Sequence, residues 1–127
     1  MSFILSKAPK AVKAWPVSIP VASDGGSIKI AKITVDMNLL SKADFDARVA
    51  DAKTASAAAL NAGSSLDVDA IVLQAIVTGW SGIVDDAGND VPFSIDALAQ
   101  LATNQSALSA VYDAYFTAVA GKAAEKN

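Results

Sequence analysis

The sequence contains no cysteine and no histidine among its 127 residues. The absence of cysteine excludes disulfides, thiolate nucleophiles and cysteine-ligated zinc. The absence of histidine removes the commonest general base and the commonest metal ligand. Most familiar catalytic sites are therefore excluded, and we expect no catalytic residue, no metal and no cofactor.

Long apolar runs are also lacking, although hydrophobic residues make up 53% of the chain and charged residues 18%. This composition is too apolar for intrinsic disorder, and no uninterrupted apolar run approaches the ~20 residues of a membrane span. The opening run Met1–Leu5 is interrupted at Ser6, well before the length that a secretory signal needs. We expect a single soluble domain over residues 1–127, located in the cytoplasm and without a membrane partner.

Positive charge is scarce in the larger part of the chain. Residues 1–40 contain five Lys and two Asp, whereas residues 41–127 contain five Lys or Arg and eleven acidic residues. A net charge of −3 without a basic cluster argues against nucleic-acid binding, which needs Lys and Arg to neutralise phosphates. The acidic part suits a basic or polyampholytic protein partner, and the opposite charges of the two parts favour a homo-oligomer.

Alternating apolar residues predict a β-hairpin near the N-terminus. The segment Trp15–Val21 carries a large apolar residue at every second position, and its two prolines restrict it to a sheet edge. A turn at Ser23–Gly26 leads to a second strand, whose alternation shifts near Ala31-Lys32. We therefore predict a hairpin over residues 15–36 with a β-bulge near Ala31-Lys32.

Two helices are predicted in the middle of the chain. Nine of the 21 residues from 42 to 62 are Ala, and Phe45, Val49 and Ala52 recur at helical spacing. Ser41 is the predicted N-cap of this helix, and Gly63 is expected to end it. Residues 66–77 are apolar on nearly all sides, as expected of a buried helix.

The C-terminal part predicts two further helices after a loop. An acidic loop or short hairpin turn is predicted for residues 84–91. Ser94 is the predicted N-cap of a helix over residues 95–103, with Phe93 and Leu98 spaced as a hydrophobic staple. After a break near Asn104, large apolar residues recur at three- and four-residue intervals.

These elements predict an α+β fold, an N-terminal β-hairpin followed by a small bundle of three or four α-helices. Residues 1–40 form the hairpin arm, and residues 41–127 form the helical part. The aromatic residues of the last helix suit either the core or a helix-in-groove contact with a partner. The candidates for partner contact are Phe45, Val49, Ala52, Tyr112, Tyr115 and Phe116.

Polar residues between the helices offer weak candidates for chemistry. Ser81 is followed directly by Gly82 and has no histidine to activate it, so we predict a turn at Gly79–Gly82 that lets Trp80 pack. The acidic residues from 85 to 96 lack the spacing of a calcium loop. A pair of carboxylates acting as acid and base stays open, because the sequence does not fix their separation.

The stretch from Val77 to Ser94, together with Ala97-Leu98 and the Tyr112–Tyr115 segment, resembles tail assembly chaperones of long-tailed bacteriophages. The shared pattern is Gly-Trp, then an acidic turn with Gly, then Pro-Phe-Ser at the start of a helix. The resemblance is best over residues 66–127. The residues that carry the pattern, with structural roles expected, are Gly79, Trp80, Gly82, Asp85, Asp86, Gly88, Pro92, Phe93, Ser94 and Leu98.

The resemblance implies a non-catalytic protein that binds the tape measure protein and keeps this long helical protein soluble during tail assembly. Such chaperones act in the host cytoplasm and are generally absent from the mature virion. A frameshift-extended form of the chain is a further implied partner. Two alternatives stay open, a virion structural subunit of the tail tube or head–tail connector, and a small carboxylate-based hydrolase.

Overall fold

The computed structural model describes residues 10–124 as a small sheet covered by helices. Within this range the predicted α+β fold is confirmed, with four helices and a three-stranded antiparallel sheet in the order β1-β2-β3. No helix of the described part is long and apolar enough to cross a membrane. The elements in chain order are β1 (Ala11–Ala22), β2 (Ile28–Asn38), α1 (Lys42–Asn61), α2 (Val68–Ile76), β3 (Val77–Ser81), α3 (Ile95–Ala102) and α4 (Gln105–Val119).

The predicted hairpin is formed by β1 and β2, with a short 3-10 turn at Asp24–Gly26. Its register runs without interruption from the pair Trp15–Val35 to the pair Ala22–Ile28, so the bulge predicted near Ala31-Lys32 is wrong. The shift in the apolar pattern has another cause. Successive side chains of a strand point to opposite faces, and β2 changes the face that carries its apolar residues. Ile33, Val35 and Met37 are buried, whereas Ile28 and Ile30 are exposed on the opposite face.

The β-bulge lies at the other end of the hairpin, between Val12 and Trp15. Ala14 has a φ of 51°, in the left-handed region. The Asp36 carboxylate accepts a hydrogen bond from the Ala14 N–H at 2.8 Å, which stabilises this conformation from the neighbouring strand. As its two prolines predicted, β1 lies at the edge of the sheet.

A third strand occupies the place where the sequence predicted the end of a helix and a turn. β3 follows α2 directly and pairs with β2, with Trp80 opposite Val35 and Ser81 opposite Thr34. The helix predicted over residues 66–77 is therefore shorter, and the predicted turn at Gly79–Gly82 is wrong for its first three residues. The short, glycine-containing segment is extended because β2 offers it a pairing edge. The part from residue 41 onward is thus not purely helical.

The helix starts are specified by side chains, as the sequence predicted. The Ser41 hydroxyl accepts a hydrogen bond from the Asp44 N–H at 3.1 Å at the start of α1. The Ser94 hydroxyl accepts one from the Ala97 N–H at 3.0 Å at the start of α3. The predicted break near Asn104 is confirmed, and Asn104 itself caps α4 by accepting from the Ala107 N–H at 3.0 Å. Each cap satisfies an N–H group that the helix leaves without an internal partner.

The core lies between the inner face of the sheet and the helices. α4 packs against β1, while α1 and α3 both pack against α2. α1 contributes Ala52 as its buried residue in the described structure, so it approaches its neighbours through a narrow, small-residue stripe. The largest fully buried side chains are Tyr115, Met37, Leu73, Ile76, Leu98, Val35 and Val111.

Candidate interaction surfaces

Trp80 joins the two ends of the segment from Val77 to Ser94. Its indole N–H donates a hydrogen bond to the Val91 carbonyl at 2.8 Å. Its ring meets the Phe93 ring edge to face, with centroids 5.1 Å apart and an angle of 84° between the planes. The Gly-Trp and Pro-Phe-Ser parts of the pattern are thus in direct contact across the acidic turn, and Leu98 lies buried in the core behind them.

The acidic segment forms the short hairpin turn that the sequence allowed. Val84 and Asp90 form a bridge, and the Asp85 N–H donates to the Asn89 carbonyl at 2.9 Å. The Asp85 carboxylate accepts from the N–H groups of Ala87 and Asn89, at 2.9 and 3.0 Å. Asp85 therefore stabilises the turn, whereas the side chain of the exposed Asp86 is available at its surface.

Two glycines of the pattern allow close approaches to β2. A Cβ atom at Gly79 would lie 2.9 Å from Oδ2 of Asp36. Gly82 has a φ of +95°, and a Cβ atom there would lie 3.2 Å from the Lys32 carbonyl oxygen. Backbone at this position must tolerate both the left-handed conformation and the contact, which favours glycine. The chain can therefore leave the sheet directly beside β2 and enter the acidic turn.

Four aromatic rings of α1 and α4 form an aromatic cluster. Phe45 stacks on Tyr115 with centroids 5.6 Å apart, and Phe116 meets Phe45 edge to face at 5.6 Å. Tyr112 stacks on Phe116 at 6.1 Å. Aromatic pairs at these separations stabilise contacts beyond simple area burial, so the cluster fixes the start of α1 on α4.

The six candidates for partner contact occupy different depths. Ala52 and Tyr115 are buried, with 0% and 2% of their surface exposed. Their side chains are therefore not on the surface of this chain. Phe45, Val49 and Tyr112 are half-buried, and Phe116 is 47% exposed. A contact role for the candidates stays a prediction. Among the six, Phe116 offers the largest exposed surface to a partner.

The two tyrosine hydroxyls connect α4 to distant segments. The Tyr112 hydroxyl donates to the Asp69 carboxylate at 3.0 Å, and the Tyr115 hydroxyl accepts from the Leu40 N–H at 3.3 Å. Burial, followed by the Asp69 hydrogen bond and charge, raises the pKa of Tyr112 far above its usual range. Burial also raises the pKa of Tyr115, against a lowering contribution from the Leu40 N–H. Both tyrosines therefore keep their protons at neutral pH, and their hydroxyl hydrogen bonds stabilise the packing of α4 on these segments.

An open groove of about 670 Å³ lies between the hairpin, the acidic turn and α3. Ile19 and Ile33 of the hairpin line it on one side, and Leu101 of α3 lines it on another. Val84, which is 54% exposed, and Trp80 also contribute apolar surface. Because the lining comes from segments far apart in sequence, no local pattern predicted the groove.

The polar residues that the sequence offered for chemistry, from Ser81 to Asp96, lie at the surface. Ser81 is exposed at the end of β3, and the chain has no histidine to act as its base. Between residues 10 and 124, no three acidic side chains are grouped so that they could hold a metal ion. The aromatic cluster and the groove are the two apolar features described above.

Comparisons of the chain with protein-family models, with curated proteins and with solved structures give no match. Its function therefore has to be argued from its own residues and surfaces.

Proposed function

We propose that this chain is a non-catalytic tail assembly chaperone that binds the tape measure protein and keeps it soluble during tail assembly. The observation that carries the proposal is the open, mainly apolar groove between the hairpin, the acidic turn and α3. A groove of this kind can cover an apolar segment that would otherwise aggregate. The resemblance of residues 77–94 to phage tail chaperones supports the same role.

Exposed apolar side chains outside the groove add support. Ile95 is 50% exposed at the start of α3, and Val119 is 40% exposed near the end of α4 beside Phe116. Single exposed apolar residues are common, but contiguous apolar surface usually marks a protein interaction site. A long partner could therefore contact more than one surface of the chaperone, or more than one copy of it.

Co-expression with the tape measure protein tests the proposal. We expect the two chains to co-purify through a tag on this chain, and the soluble fraction of the tape measure protein to rise severalfold. An unrelated aggregation-prone helical protein serves as the matched partner control and should not be rescued. A folded wild-type chain that neither binds nor solubilises the tape measure protein would contradict the proposal.

A structural subunit of the virion is a second candidate, favoured by the exposed end of the hairpin. Val21, Ile28 and Ile30 are 47%, 58% and 53% exposed there, and β1 is an edge strand. Exposed edges with apolar side chains are templates for sheet extension between copies. Mass spectrometry of purified virions separates the candidates, because a tail subunit would be present in many copies and a chaperone would be absent.

A further inference from the structure

We propose that the groove binds a single amphipathic helix of the partner, whose apolar stripe is flanked by Lys or Arg. The inference rests on the proposed function only in taking the occupant to be part of a protein chain. The shape of one wall and the charge of the rim both point to this occupant.

The wall that α3 contributes has the spacing of a helix-packing ridge. Its lining residues Gln100 and Leu101 lie three and four residues after Ala97, and Asn104, the N-cap of α4, follows three residues after Leu101. Such residues share one face of a helix, and the ridges they form pack into the grooves of a neighbouring helix at 8–10 Å. In the described chain, this face of α3 borders the open groove instead of another helix. A second helix is the element that completes this packing.

The hairpin contributes the floor of the groove. α4 packs against β1 near Trp15–Ser18, where the two elements border a small, partly open pocket of about 70 Å³. Further along the hairpin, Ile19, Ala31 and Ile33 line the open groove. Stable domains cover the apolar face of a sheet with a second layer. Ile19 and Ile33 are already buried, whereas Ala31 is exposed, so a helix lying in the groove would meet this floor mainly at Ala31.

The charge of the groove selects the flanks of that helix. The charged side chains among its described lining residues are Asp85 and Asp86, both acidic. The part of the chain from residue 41 onward also carries an excess of acidic residues. Lys or Arg beside the apolar stripe would meet opposite charge at this rim, whereas Glu or Asp would be repelled. Apolar burial supplies most of the affinity, and the rim discriminates between basic and acidic partners.

Designed peptides test the groove without the tape measure protein. Three 20-residue helical peptides differ only in two sets of positions, the stripe that faces the groove and the positions beside it. The Leu-Lys peptide has Leu in the stripe and Lys beside it, the Leu-Glu peptide has Leu and Glu, and the Ser-Lys peptide has Ser and Lys. Each is titrated into the full isotope-labelled chain and followed by NMR. We expect the Leu-Lys peptide to shift the Trp80 indole N–H and the amides of Ile33 and Leu101. The affinity of the Leu-Glu peptide should be at least about threefold lower than that of the Leu-Lys peptide, and the Ser-Lys peptide should not bind.

Variants of the chain locate the contact. Asp86→Lys should abolish the preference for the Leu-Lys peptide, because a Lys beside the remaining Asp85 makes the rim neutral overall, while Asp113→Lys, at an exposed position on α4 outside the groove, should leave the preference unchanged. Gln100→Trp should fill the groove and weaken binding of both Leu peptides at least tenfold. Gln105→Trp, at an exposed position outside the lining, is the matched control. Circular dichroism confirms that each variant is folded before it is titrated.

Three results would overturn the inference: shifts centred on Phe45 and Phe116, equal affinity for the Lys and Glu peptides, or no shifts at millimolar peptide. These results do not decide the chaperone function. If Gln100→Trp still co-purifies with the tape measure protein as wild type does, the function stands and the groove is the wrong surface. If the Leu-Lys peptide binds in the groove but the tape measure protein does not, the groove stands and the chaperone assignment fails.

Discussion

Replacement of Trp80 by alanine is expected to produce a large loss of stability. Removal of a packed Trp side chain costs about 3–5 kcal/mol when the site is in a core, and Trp80 is half-buried, so about 3 kcal/mol is expected. A chain of 127 residues has a free energy of unfolding of about 6–19 kcal/mol at the usual value per residue. The variant would therefore lose between roughly a sixth and a half of its stability, which still leaves the folded state favoured in the absence of denaturant.

Two milder variants separate the contributions of this side chain. Trp80→Phe keeps an aromatic ring but removes the N–H that donates to the Val91 carbonyl, which should cost about 1 kcal/mol. Phe93→Leu removes the edge-to-face partner, a contact that contributes about 0.5–1.5 kcal/mol. Trp80→Ala combined with Phe93→Leu should lose less than the sum of its two single variants, because each of them alone already removes the ring contact.

Urea unfolding followed by circular dichroism measures these differences in the free energy of unfolding. The comparison holds if the dependence of that free energy on urea concentration is the same for all variants. Phe116→Ala is the matched control, since it removes a ring that is 47% exposed and should change stability by less than Trp80→Ala does. An unfolding midpoint for Trp80→Ala equal to that of wild type would refute the reasoning. The acidic turn and the sheet would then be held together by contacts other than the indole.

Further predictions concern the tyrosines, a cap, the helix interface and the bulge. Because the folded-state pKa values of Tyr112 and Tyr115 are raised, the fold binds protons that the unfolded chain releases above pH ~10. The free energy of unfolding, measured by urea titration, should therefore be constant from pH 8 to 9.5 and fall above pH 10. The fall should be less steep in Tyr112→Phe. A free energy of unfolding that rises above pH 10 would contradict the burial argument. Ser94→Ala should lose about 1 kcal/mol by removing the α3 cap, and Ser94→Asp should retain most of it, which thermal unfolding can compare. Ala52→Leu should cost about 1–3 kcal/mol through overpacking, and an unchanged midpoint would show that α1 is loosely seated. Ala14→Gly should stabilise the chain by up to about 1 kcal/mol by relieving a left-handed backbone, and a loss of stability in urea unfolding would count against the strain.

Features set by neighbouring residues could be predicted from the sequence. Ser41 and Ser94 are predicted as caps because a hydroxyl directly before a helical pattern can accept a backbone N–H that the helix leaves without a partner, and both accept such an N–H group. The hairpin was predicted from the alternation of apolar residues. The position of its bulge was predicted wrongly because Ile28 and Ile30 alternate as buried residues do but lie on the exposed face of the strand.

Features set by distant residues could not be predicted in the same way. β3 has only five residues, and its conformation depends on the edge of β2, some forty positions earlier. The groove likewise depends on the meeting of the hairpin, the acidic turn and α3. The aromatic stripe left the choice between core and surface open, and packing divides it between neighbours: Tyr115 is buried and Phe116 is not. A turn of about 100° per residue separates those two side chains.

The Asp36 carboxylate has a consequence for the uniqueness of the sheet. One of its oxygens accepts from the Ala14 N–H, and the other lies where a side chain at position 79 would have to be. The distal hairpin has apolar side chains on both faces, so its pattern alone distinguishes poorly between two alignments of the strands. A shift by one residue would exchange the faces and turn Ile28 and Ile30 inward. Asp36 thus selects one alignment, and its loss should appear as two slowly exchanging sets of amide signals.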